Sequence, residues 1–100
     1  MVISWLFSWW RRPRLGHLHV VVYTRRGCHL CEAAWRQLRR ARRRHGFRLE
    51  AVDVDTDPEL AARHGTSVPV VTVNGRVRFR GAVNPVLLAR LLLGEGATGV

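Results

Sequence analysis

The sequence predicts an α/β domain with a mixed four-stranded sheet and three helices, in the order strand–helix–strand–helix–strand–strand–helix. Three observations carry this prediction. The β-branched run Leu18-His19-Val20-Val21-Val22-Tyr23 is followed within a few residues by a stretch of helical periodicity. A second apolar run, 47–54, comes directly after that helix. Later, two short runs flank Asn74–Gly75, the strongest two-residue hairpin signal. A strand–helix–strand unit pairs its strands in parallel through a right-handed crossover, whereas a hairpin adds antiparallel strands. The sheet is therefore mixed, with helices on both faces.

The elements follow in order. Residues 18–23 read as a buried strand, and Thr24 to Gly27 as the loop that leaves it. From Cys28 to Arg44 the residues Leu30, Ala34, Leu38 and Ala41 recur at helical spacing, and Gly46 is a plausible left-handed cap after His45. In the second strand, 47–54, alternation breaks at Ala51–Val52, as expected for a strand covered on both faces. Asp57–Pro58–Glu59 then starts a short helix: Asp57 caps it, Pro58 suits the first helical position, and Glu59 complements the helix dipole. Gly65 closes that helix. Strands 70–73 and 76–79 form the hairpin. Asn84–Pro85 repeats the cap-plus-proline start, and Leu87, Leu88, Leu91 and Leu92 give the last helix an apolar face that Gly94 ends.

A chain of 100 residues, 47% apolar, suits one folded domain and no repeat array. We divide it into a leader at 1–16, a domain at 17–94 and a flexible tail at 95–100. The leader runs apolar from Met1 to Trp10, with Trp5, Trp9 and Trp10, and then turns basic at Arg11, Arg12 and Arg14. It is too short to span a bilayer, which takes about 20 apolar residues. A secretory signal would place its charge first. An interfacial anchor through residues 1–14, peripheral to the inner face of a membrane, is the expected role, with a plain flexible leader as the alternative.

The net charge of +10 raises nucleic acid as a partner, but all 17 basic residues are Arg, which reads as a compositional bias. The densest cluster, Arg36 to Arg44, lies on a predicted helix without an aromatic stacking platform, so we expect a solvated face rather than a nucleic-acid site.

The chain has two cysteines, Cys28 and Cys31, at the junction of strand and helix. Closing so small a ring restrains an unfolded chain little, so stapling is a poor reason for the pair. Chemistry is a better one. The nucleophile in disulfide exchange is a thiolate, and a helix N-terminus supplies free N–H donors and partial positive charge to stabilise one at Cys28. Arg25 and Arg26 add charge nearby. Cys31, one turn further in, has fewer free donors. Two unequal sulfurs within reach of each other suit attack by Cys28 and resolution by Cys31. His29 between them could tune the Cys28 thiolate as a cation, or simply face solvent.

With these pieces in place, the chain resembles a glutaredoxin-like protein of the thioredoxin-like superfamily, closest to the small bacterial group with a C-x-L-C motif. The matching residues are Tyr23-Thr24-Arg25-Arg26-Gly27-Cys28-His29-Leu30-Cys31, Val52-Asp53-Val54-Asp55-Thr56-Asp57-Pro58-Glu59-Leu60, Thr66-Ser67-Val68-Pro69, and the strand from Arg76 to Gly81. The resemblance covers about residues 18 to 93. It implies a thioredoxin-like, glutaredoxin-type three-layer fold with a cis-proline at Pro69, facing the cysteines across a substrate groove. It makes Cys28 the nucleophile and Cys31 the resolving cysteine of a dithiol oxidoreductase in the cytoplasm. Arg25 stands where the family holds a glutathione carboxylate, Val68 where backbone groups pair with the bound thiol, and Gly81 in a glycine pair beside it. The implied partners are a disulfide-containing protein or glutathione as co-substrate, with no resident cofactor. The sequence departs from the pattern at His29–Leu30, at Gly81–Ala82, and at Asn84–Pro85, where an acidic residue is expected.

The competing class is a metal- or partner-binding module on the same scaffold. Cys28 and Cys31 would supply half of a zinc site, with His17, His19, His29, His45 or His64 completing it, or would share an iron–sulfur cluster between two chains. None of these histidines has ligand-pair spacing with the cysteines.

Overall fold

A computed structural model describes residues 15–98, with side chains as far as residue 94. Of the expected leader at 1–16, residues 1–14, which were to carry the interfacial contact, lie outside the described residues. The elements are β1 (His19–Thr24), α1 (His29–His45), β2 (Arg48–Asp53), a 3₁₀ turn (Val54–Thr56), α2 (Pro58–His64), β3 (Val70–Val73), β4 (Arg76–Arg80) and α3 (Pro85–Thr98). The sheet order is β2-β1-β3-β4. β1 and β2 are parallel, and the β1–β3 and β3–β4 pairs are antiparallel.

Strand alternation shows how the layers form. Val20 and Val22 of β1 and Val71 and Val73 of β3 point to one face, where they pack with Ala34 and Leu38 of α1 and Leu88 and Leu92 of α3. Tyr23 of β1 points the other way, its ring centroid 4.6 Å from that of His64 in α2. Helices therefore cover both faces, and the central strand β3 is buried along its whole length. The hairpin turn has positive φ at Asn74 (50°) and Gly75 (86°), the backbone that a tight two-residue turn requires. Asn74 also clamps the turn to β1, because its Oδ1 accepts the His19 N–H at 2.8 Å.

The ends of the helices follow the expected chemistry, with two exceptions. Gly46 takes φ 76° after α1 and donates its N–H to the Arg42 carbonyl. Asp57 and Asn84 cap α2 and α3 through side-chain oxygens that accept the Glu59, Val86 and Leu87 N–H groups. Gly65, however, ends α2 with right-handed backbone angles. Gly94 does not end α3, which continues to Thr98. A glycine stops a helix by turning left-handed, and one that stays right-handed costs the helix only about 1 kcal/mol.

Two further expectations are corrected. β2 is an edge strand with Arg48, Glu50 and Ala51 exposed, not a strand covered on both faces. Among the described residues, packing into the domain also includes Leu15, ahead of the expected start at His17. Leu15 is buried in the core, and its N–H bonds to the His45 carbonyl at the end of α1.

His64 is 5% exposed, and its Nδ1 is buried without a hydrogen-bond partner. Burial, and then the charges of Arg63 and Arg80, hold its pKa below the ordinary 6.5. The folded chain thus binds this proton less readily than the unfolded chain does. The resulting stability is complete above pH 6.5 and is lost as pH falls through the lower folded value. Urea midpoints should drop on the acid side of that pH, and His64→Leu should flatten the part of the drop nearest to it.

Candidate active site

The loop from Arg25 to Gly27 leaves β1 and turns through Gly27, whose φ of 74° is a left-handed value. Cys28 follows in extended geometry (φ −94°, ψ 105°) as the N-cap of α1. Its carbonyl accepts the Glu32 N–H, the first bond of the helix, at 3.1 Å. Its Sγ accepts the Cys31 N–H, also at 3.1 Å. The sulfur therefore occupies the place where a capping oxygen usually satisfies an unpaired N–H of the first turn.

Cys28 and Cys31 form a disulfide, with a Cα–Cα separation of 5.2 Å. The two sulfurs differ in access. Cys28 is half-buried, whereas Cys31 is 3% exposed, on the buried face of α1. His29 has a side chain 97% exposed, and its Nδ1 lies 3.9 Å from a Glu32 carboxylate oxygen. Leu30 is exposed beside the pair.

Arg25 sits near the cysteines, but other residues hold its guanidinium. Nε and Nη2 donate to the two carboxylate oxygens of Asp55 at 3.1 and 3.0 Å, and Nη1 donates to the Gly65 carbonyl at 3.0 Å. Bidentate geometry of this kind fixes an arginine plane. Gly65 makes room for it: a Cβ there would fall 2.5 Å from the Ala61 carbonyl oxygen and 2.7 Å from Arg25 Nη2. Sequence reasoning did not foresee that Asp55 and Gly65 hold Arg25. The usable signal was an acidic residue just past β2, because parallel pairing of Thr24 with Asp53 brings the loops after β1 and β2 together. Since both partners are well exposed, Asp55→Ala should cost less than about 1 kcal/mol of stability. Chemical denaturation of the variant checks this.

A groove of about 380 Å³ opens beside the disulfide, lined by Arg25, Arg26, Cys28, Cys31, Trp35 and Ala51 among others. It runs between α1 and the exposed edge of β2. Sequence reasoning did not foresee it, because it depends on β2 being an edge.

Val68, Pro69 and Gly81 form a second cluster. The Val68–Pro69 peptide bond is cis, and Pro69 is fully buried. Gly81, at φ 79°, donates its N–H to the carbonyls of Ser67 and Pro69 and so ties the end of β4 to this loop. Pairing of Tyr23 with Val70 places the loop at the same end of the sheet as the β1–α1 loop. Asn84 uses its side-chain oxygen to cap α3. Among the described residues no three His, Cys, Asp or Glu side chains converge to hold a metal ion, and His19 is paired with Glu50 at 2.7 Å. No described helix is long and apolar enough to cross a membrane.

Comparison with known proteins places this geometry. Residues 19–93 match the family described as Glutaredoxin-like domain (DUF836). No curated protein matches the chain. Among solved structures, a structural-genomics target from X. campestris is 28% identical, covering 75% of this chain and 96% of its own, with a TM-score of 0.61. A Nitrosomonas europaea protein solved by solution NMR is 26% identical over 74% of this chain and 89% of its own, with a TM-score of 0.65. The oxidised thioredoxin of Plasmodium falciparum, 20% identical over 93% of this chain and 91% of its own, shares the fold at a TM-score of 0.59.

Proposed function

Given that the chain belongs to the glutaredoxin-like domain family, we propose that it is a thiol–disulfide oxidoreductase that reduces disulfides by a dithiol mechanism. The observation that carries this reading is the unequal cysteine pair: a half-buried Cys28 sulfur at the cap of α1, within bonding reach of a buried Cys31. In the reduced protein the Cys31 N–H and the positive end of α1 favour the Cys28 thiolate. That thiolate attacks one sulfur of a substrate disulfide. A mixed disulfide forms, and the first substrate thiolate leaves. Cys31, once deprotonated, attacks the Cys28 sulfur and expels the second substrate thiolate. Two electrons have then passed from the dithiol to the substrate, and the protein holds the Cys28–Cys31 disulfide. Two equivalents of a cellular thiol restore the dithiol and leave as their own disulfide, and in a reducing compartment such as the cytoplasm the pair rests mainly reduced.

The site supports a protein disulfide as substrate more than it supports glutathione. The Arg25 fork is engaged by Asp55 and Gly65, and Asn84 brings no carboxylate to the end where the family holds the amino group of glutathione. Val68 and Gly81, half-buried beside the buried Pro69, offer a backbone rim to an extended peptide, and the exposed Leu30 offers apolar contact. The His29 side chain is open to solvent, its Nδ1 facing the Glu32 carboxylate.

Equilibration in graded glutathione redox buffers, with thiol trapping and mass spectrometry, tests the reading. A reversible Cys28–Cys31 disulfide supports the oxidoreductase. A glutathione adduct on Cys31→Ser would bring glutathione in as co-substrate. Failure to form a reversible disulfide, or thiols blocked by a co-purified metal, would overturn the reading in favour of a binding module.

A further inference from the structure

We propose that the outer face of the α1–α3 layer docks on an anionic phospholipid surface. The two helices lie side by side on one face of the sheet. Ala34 and Leu38 share a core with Leu88 and Leu92, and Gln37, Arg40 and Arg44 line a groove together with Pro85 and Ala89. Side chains half a turn away from those core residues point away from the sheet. On α1 these are Arg36, Arg40 and Arg43, which converge with Arg39 on a cleft of about 160 Å³. On α3 they are Val86 and Leu93, 60% and 67% exposed, whereas Arg90 lines a separate groove with Arg78 and Phe79 of β4.

This face combines uncompensated positive charge with bare aliphatic side chains. Among the described residues none of the four cleft arginines has a carboxylate within ion-pairing distance. The one acidic residue of α1, Glu32, sits in the first turn, one turn before Arg36 on the same face, and forms no ion pair with it. A lipid surface suits both components. Guanidinium groups meet headgroup phosphates, their alkyl stems lie along the boundary, and Val86 and Leu93 enter it. A single-stranded nucleic acid would need exposed aromatic rings to stack on, whereas the one described tryptophan, Trp35, lies in the groove toward β2. A second copy of the same face would set arginines against arginines. Docked this way, α1 lies along the membrane, and Cys28 at its N-terminal end opens sideways, clear of the lipid.

Sedimentation of the full chain with vesicles tests the proposal, comparing phosphatidylglycerol–phosphatidylcholine mixtures with phosphatidylcholine alone. Each basic side chain near such a surface is worth roughly a fivefold change in partitioning, so R36Q/R40Q/R43Q should weaken binding to the mixed vesicles on the order of a hundredfold. V86S/L93S should remove the part of the binding that survives raised salt. Every variant retains residues 1–14, so any loss reports on this face alone. The proposal is overturned if wild type ignores anionic vesicles, if the arginine variant partitions like wild type, or if an oligonucleotide at equal phosphate concentration competes the protein off the vesicles.

Discussion

Cys28→Ser is expected to reduce disulfide exchange to the background rate, whereas Cys31→Ser should leave a protein that attacks once and stays bound to its substrate. The asymmetry follows from position. A serine hydroxyl at residue 28 would still cap α1 by accepting the Cys31 N–H, so the fold survives, but the hydroxyl is no nucleophile toward sulfur at neutral pH. Cys31 is buried, and an incoming disulfide meets Cys28 first. Without Cys31 the mixed disulfide has no internal resolving thiol and accumulates. Mass spectrometry of alkylated reaction mixtures reads both outcomes: unmodified Cys28→Ser protein in one case, and a substrate adduct on residue 28 of Cys31→Ser in the other. Full exchange by Cys28→Ser together with none by Cys31→Ser would reverse the assigned roles.

Phe47→Ala should have the largest effect on stability, lowering it by about 3–5 kcal/mol. Phe47 heads the fully buried side chains, and it follows Gly46 directly, where the chain leaves α1 for β2. Its ring joins the apolar cluster with Leu15, Leu18 and Leu38, so truncation opens a cavity at the junction of α1, β1 and β2. Domains of this size hold only about 5–15 kcal/mol in total, and the loss would consume a large share of that. A urea titration should show a much lower midpoint with an unchanged slope. Exchange activity measured in the folded range should survive, because Phe47 lies past the far end of α1 from the cysteines.

The helix that carries the two cysteines was readable because what specifies it is local. Capping at Cys28, the apolar spacing of Ala34 and Leu38, and a left-handed stop at Gly46 each involve residues a few positions apart. The hairpin at Asn74–Gly75 was readable for the same reason. Arg25 was only half readable. The resemblance placed it near the site, but its neighbour Asp55 lies 30 residues away. The two meet because β1 and β2 are parallel with Thr24 opposite Asp53. The groove at Trp35 and Ala51 likewise needs the strand order, which no run of apolar residues encodes.

The sequence by itself determined the element order, the positions of both cysteines at a helix start, and the family of the fold. Those depend on backbone preferences and hydrophobic periods that act over one or two turns of chain. Only the tertiary structure decided that β2 is an edge, that Leu15 belongs to the core, that α3 runs through Gly94, and that His64 is buried without a partner for Nδ1. Three of these depend on which distant segments become neighbours, and α3 on a glycine keeping helical angles. Pairing of that kind is set by how the whole set of apolar faces can be buried at once, a global condition that no single stretch of sequence carries.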